Sequence, residues 1–262
     1  MRWSERDGVR WLQAELPGAT AAFSTRIGGV SDGPFASLNL GFLTEDDVQS
    51  VARNRARLAA ALALDPARVL VGHQVHGSDV LRHSAPPSPP GYERLVEDPP
   101  QVDGHATDTP GLAPLVLVAD CLPIALSGPG GVAMLHGGWR GLAGGIVERG
   151  VREVDASAAA VGPGIGPCCY EVGGEVLDAF SRLGEGVASG RMLDLAEVAE
   201  RLLRGAGVER IERAGLCTSC ERDLFFSHRR DAGRTGRQAG VVVATAPAAD
   251  PGRRTNGAGA RG

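Results

Sequence analysis

The 262-residue chain contains no lysine: all 27 of its Lys-plus-Arg residues are arginine. That absence excludes Schiff-base enzymes, an internal pyridoxal phosphate linkage and the GxxxxGK[ST] phosphate loop, all of which need a lysine amine. The 38 glycines fit a GC-rich coding bias as its origin. Aromatic residues are scarce at 4%, yet 43% hydrophobic against 22% charged residues supplies ample core and argues against disorder. Long apolar runs are also missing: the run at 112–119 stops at Asp120, far short of the roughly 20 residues that cross a bilayer. The opening MRWSERDGVRWLQ carries charges where a signal peptide needs an apolar stretch. No membrane partner and a cytoplasmic location are therefore expected. The net charge of -4, with acids and arginines interspersed, gives no long-range attraction to nucleic acid.

One domain is expected over 1–245, followed by a disordered Gly/Ala/Pro/Arg tail over 246–262. Apolar spacing predicts helices over 46–64, starting after Thr44 with acids in its first turn, and over 145–154, 174–183 and 195–204. Short β-rich runs fall at 68–71, 79–82, 114–119, 131–135, 158–161, 210–214 and 240–245. Their order has no regular βαβ beat, which points to an α+β fold with mixed sheets covered by helices. SAPPSPPGYE, at 84–93, reads as a surface excursion or lid.

Three chemistry-bearing residues stand at or near the ends of apolar runs: His76 in QVHG, Cys121 in ADCLP and His136 in MLHGGWRG. Two histidines and a cysteine are the donor set of a catalytic zinc site with an open fourth position. Copper is the other metal this set suits. The gaps of 45 and 15 residues are too long for a structural zinc module, so only the fold can bring the three together. The other cysteines are the adjacent Cys168 and Cys169 and a C-x-x-C at Cys217 and Cys220. A C-x-x-C can be half of a four-cysteine zinc site or a redox motif. With no second C-x-x-C and adjacent cysteines a poor chelate, packing is the reading for these four. Arg26, Arg140, Arg229, Arg230 and Arg237 lie near glycines, where guanidinium and backbone amides can share an oxyanion.

STRIGGVSDGPFASLNLG, QVHGSDV, VDGHATDTPGLAPLVLVADCLPIAL, GVAMLHGGWRGLAGGIVE, AAVGPGIGPCCYEVG and GLCTSCERDLFFSHRRDAGRTGRQAG follow one another in that order. Together they resemble the laccase-domain family, whose members are described as polyphenol oxidases, purine nucleoside phosphorylases and peptidoglycan editing factors. The resemblance implies a layered α/β/β/α fold with mixed sheets. It places the metal ligands on His76, Cys121 and His136; substrate contacts are expected at Arg26, Asn39, Gln74 and Arg140. The chain departs from the family pattern at His228, where an aromatic is usual, at Ala232, where glycine is usual, and at 42–46 and 191–195.

Multicopper laccases hold four coppers with more histidines than the six present here, so polyphenol oxidation is disfavoured. The resemblance implies instead a zinc-dependent purine nucleoside phosphorylase, acting on adenosine, inosine and methylthioadenosine with phosphate. Adenosine deamination is implied as a side activity, with Asp120 as a proton shuttle. The alternative from the residues is a Cys-His hydrolase, with Cys121 activated by His76 or His136 and oriented by Asp120, editing a peptidoglycan precursor.

Overall fold

The computed structural model describes residues 1–245, so the tail expected over 246–262 lies outside the described residues. In chain order the elements are β1 (Arg2–Arg6), β2 (Val9–Leu16), β3 (Ala19–Ser24), α1 (Val48–Leu62), β4 (Val69–Leu70), β5 (Val80–His83), β6 (Gly104–Thr107) and β7 (Ala113–Val118). They continue with β8 (Leu122–Gly128), β9 (Gly131–Gly137), α2 (Trp139–Ala143), α3 (Ile146–Val154), β10 (Ala158–Val161), α4 (Gly174–Phe180), β11 (Ala188–Ser189), β12 (Met192–Leu193), α5 (Leu195–Gly205), β13 (Arg210–Arg213) and β14 (Gln238–Ala244). The helix expected from residue 46 begins at Val48, because Asp47 caps it by accepting the Ser50 N–H. Asp46 is instead spent on the Asn39 side chain.

Two six-stranded mixed sheets form, ordered β1-β2-β3-β14-β7-β4 and β13-β10-β8-β9-β6-β5. Ala14, Phe23, Val116 and Val118 from the first pack against Ala125, Met134, Ala158 and Ala160 from the second. The outer face of the second sheet is covered by helices, with Leu126 and Leu135 meeting Ile146, Val147 and Leu203. The helix α1 covers the outer face of the first through Leu58 and Ala61, against Trp11, Leu115 and Val241. The result is the α+β arrangement of two mixed sheets between helices. Each fully buried Val, Leu or Ile in these layers contributes roughly 1.5–3 kcal/mol.

The reading of 84–93 as a surface excursion is corrected at its end. Tyr92 is among the most deeply buried side chains, at 1% exposure. Its hydroxyl donates to the Arg55 carbonyl while the Arg55 guanidinium donates to the Tyr92 and Leu40 carbonyls. This reciprocal tie anchors the excursion to α1. Among the described residues no helix is long and apolar enough to cross a membrane.

Candidate active site

Strands β4 and β7 are parallel neighbours in the first sheet, so the segments leaving their C-terminal ends depart from one end of it. One segment, 71–79, crosses to β5 and carries His76. The other, 119–121, crosses to β8 and carries Cys121. Strand β9 runs antiparallel to β8, with Leu122 opposite Gly137 and Pro123 opposite His136, so its last residues arrive where β8 begins. The topology therefore gathers three residues that are far apart in sequence. The ligand atoms of His76, Cys121 and His136 lie within 4.8 Å of one another, and the two imidazoles meet nearly edge-on with centroids 4.9 Å apart.

A buried carboxylate that sequence reasoning missed organises this group. Asp103, fully buried just before β6, accepts from His136 Nδ1 at 2.7 Å and from the His76 backbone N–H at 3.0 Å through Oδ1. Its Oδ2 accepts from the backbone N–H groups of Val75 and Gly77 at 3.0 and 2.7 Å. One side chain thus fixes both histidines, leaving Nε2 of His136 to face the group. Burial raises the Asp103 carboxyl, and the His136 ring and these N–H groups outweigh it, keeping the acid below its ordinary range. His76 sits at φ 59° and Asp120 at φ 90°, strained backbone that this fixed surround maintains. Burial raises the Cys121 thiol, but the neighbouring His136 and His76 rings bring it down to about 6. Burial lowers His136, and Cys121 with Asp103 raises it to about 9. Gly138 supplies the remaining space: a Cβ there would stand 3.1 Å from Cys121 Sγ and 3.3 Å from His76 Cδ2.

A sequence model of the multi-copper polyphenol oxidoreductase laccase family matches residues 20–245. The chain belongs to that family. It is 40% identical to the purine nucleoside phosphorylase YlmD of Geobacillus stearothermophilus, over 91% of this chain and 96% of that one. It is 38% identical to the purine nucleoside phosphorylase YfiH of Escherichia coli K12, over 89% and 96%. The crystal structure of the Geobacillus YlmD superposes with a TM-score of 0.83 at 39% identity, covering 93% of this chain and 98% of that one. That of the Bacillus licheniformis hypothetical protein YfiH gives 0.82 at 33%, covering 92% and 98%.

In this laccase-family chain the trio lies in the wall of a cavity of about 590 Å³, within the range of small-molecule sites. Phe42, Val71, Leu115, Leu117 and Ile165 make its apolar side, and Arg140, Arg229, Arg237, His73 and His228 its polar side. Arg140 lies over the Trp139 ring at 4.5 Å and Arg229 over Tyr170 at 5.2 Å. Burial pushes the Tyr170 phenol up to about 12, so it faces the cavity as a neutral donor.

The other sequence-derived site residues divide. Gln74 lines the cavity, but its amide is engaged in a two-way bond with the Leu117 backbone, both at 2.8 Å. Asn39 is fully buried and accepts the Gly41 and Arg237 N–H groups through Oδ1, so it braces the wall. Asp120 also lines the cavity, with its oxygens taken by the Thr218 hydroxyl at 2.6 Å and the Arg229 N–H at 2.7 Å. The expectation that Asp120 orients a histidine of the trio is corrected, because its oxygens are taken elsewhere and Asp103 is the carboxylate bonded to His136. Arg26 is corrected too: it stacks on Phe226 and donates to the Ala36 and Arg222 carbonyls in a separate surface depression. The packing reading of the remaining cysteines fails as well. Cys168 and Cys220 are exposed, and the four sulfurs converge within 4.8 Å of one another.

Proposed function

We propose that this protein is a purine nucleoside phosphorylase whose active site is the cavity around His76, Cys121 and His136. The observation that carries the reading is the convergence of these three side chains, under one buried carboxylate, in a cavity with an apolar side and an arginine-rich side. Relatives bearing that name at 40% and 38% identity support it.

The residues fit a zinc ion. Two imidazoles and a thiol are borderline donors, Asp103 fixes the His136 tautomer, and the bare backbone of Gly138 leaves room beside them. When bound, zinc supplies Lewis acidity and lowers the pKa of water toward about 7. The purine fits the apolar wall of Phe42, Val71 and Leu115. Phosphate fits Arg140 and Arg229, which line the cavity beside the Trp139 and Tyr170 rings. With no lysine in the chain, no ammonium competes for that role. A phosphate oxygen attacks the anomeric carbon, the bond to the purine nitrogen breaks, and the products are the base, which takes up a proton, and the sugar 1-phosphate: ribose 1-phosphate from adenosine and inosine, 5-methylthioribose 1-phosphate from methylthioadenosine. Asp120 holds the Arg229 backbone in place. Adenosine, inosine and methylthioadenosine are the substrates in this reading, and deamination of adenosine is a second activity of the same site.

The test is to incubate zinc-loaded protein with each nucleoside, with and without phosphate, and to assay free base, ribose 1-phosphate and ammonia. Base and sugar phosphate formed only with phosphate are expected. No adenine or hypoxanthine from any nucleoside overturns the proposal. Turnover that survives a chelator and is lost on alkylating Cys121 would replace it with a Cys-His hydrolase.

A further inference from the structure

The second cluster of metal-binding side chains among the described residues is outside the cavity and has no part in the phosphorolysis scheme. We propose that Cys168, Cys169, Cys217 and Cys220 form a four-thiolate site for a structural zinc ion. Cys168 Sγ and Cys169 Sγ lie 3.4 and 3.5 Å from Cys220 Sγ, and all four sulfurs fall within 4.8 Å of one another. A tetrahedron of Zn–S bonds of about 2.3 Å places its sulfurs about 3.8 Å apart. A disulfide needs about 2.05 Å between one pair and leaves the other two sulfurs without a role.

Adjacent cysteines are a poor chelate in an extended chain, and the local backbone removes that objection. The N–H groups of Cys169 and Tyr170 both bond back to the Gly166 carbonyl, a tight turn that brings both sulfurs to the same neighbour. The C-x-x-C half is shaped likewise: the Glu221 N–H bonds back to the Cys217 carbonyl, and the Gly166 N–H donates to Cys217 Sγ at 3.2 Å. Such a donor stabilises a thiolate. The Arg230 guanidinium, itself paired with Asp231, is bonded to the Thr218 carbonyl of the same turn at 2.9 Å and holds that turn in place.

The position of the cluster gives it a structural task. Thr218, between the two cysteines of the C-x-x-C, donates to Asp120 beside Cys121, and its N–H bonds to the Gly164 carbonyl. Tyr170, next after Cys169, faces the cavity. An ion held by both loops would clamp the two cavity walls to each other.

The test uses the full chain purified without chelator. Elemental analysis is expected to give about two zinc ions per chain, about one in His136→Ala and about one in Cys217→Ser/Cys220→Ser. Should the double variant not fold, cobalt substitution of the His136→Ala chain reads the site directly. The spectrum of tetrahedral four-sulfur cobalt is expected, with sulfur-to-metal charge transfer several-fold more intense than a single cysteine ligand gives. A zinc count unchanged in a folded Cys217→Ser/Cys220→Ser variant overturns the proposal. So does a cobalt-loaded His136→Ala chain without that spectrum, or a disulfide among the four in the purified protein, found by mass spectrometry after alkylation without reductant.

Discussion

Asp103 accepts four hydrogen bonds, one from the His136 ring and three from the backbone of 75–77. An amide in its place must turn a donor toward one of those donors. Asp103→Asn is expected to weaken zinc binding roughly 10–100-fold, the usual loss for a partner of a ligating histidine, as read by competition with a chromophoric chelator. Unchanged affinity would show that His136 needs no such partner. Gly138 makes a second case, because the methyl of Gly138→Ala would enter the space between Cys121 and His76. Its expected outcome is reduced zinc occupancy in a chain whose thermal unfolding stays near wild type, and full occupancy would contradict it. At this scale the trio was legible, since histidine and cysteine at or near the ends of apolar runs are few and chemically specific. Asp103 was not, because a carboxylate 27 residues from His76 becomes its partner through the fold alone. Arg26 misled for the same reason: its glycine neighbours resemble an anion site, while its guanidinium is taken up by carbonyls and the Phe226 ring.

Among the elements, α3 and β10 were read nearly to the residue; the apolar spacing of α3 is regular and its two caps, Gly145 and Asp155, adopt positive φ. The first three strands were not anticipated, although Asp7 and Gly8, at φ 51° and 78°, make the two-residue turn that pairs Arg6 with Val9. Strand β8 was obscured by Pro123, which removes an N–H from a central strand; its carbonyl still accepts from Gly162. The loop after β13 departs from the family at Ala232, which adopts φ 49° where the resemblance expects glycine. Relief of that left-handed strain exceeds the entropy glycine adds to the unfolded chain. Ala232→Gly is therefore expected to stabilise by about 0.5–1 kcal/mol, read as a raised denaturation midpoint. A lowered midpoint would mean that the loop pays nothing for its alanine.

For the molecule as a whole, His105 connects the packed interior to solution pH. It is buried in β6 with Nδ1 3.0 Å from Nε2 of His83. Burial lowers it to about 3, with His83 adding to that and Asp103 opposing it. A folded value below the unfolded one means the stability it contributes is complete above about pH 6.5 and is lost as the pH falls toward 3. Between pH 7 and 5 that amounts to about 2 kcal/mol. Denaturant unfolding at the two pH values should show a smaller difference in His105→Asn than in wild type, and an equal difference would refute the assignment.

The layered arrangement was legible from the irregular order of strands and helices together with the family resemblance. The convergence of two sheet-crossing segments on the end of β9 was not, because it depends on pairing across the whole chain. That convergence is the centre of the account, and it is tested most directly by titrating zinc into metal-free protein while following phosphate-dependent release of base from inosine. The account predicts that activity rises with occupancy of the His76, Cys121 and His136 site and is absent from His136→Ala at every zinc concentration. Release of base by His136→Ala at the wild-type rate, or none from the zinc-saturated wild type, would contradict it.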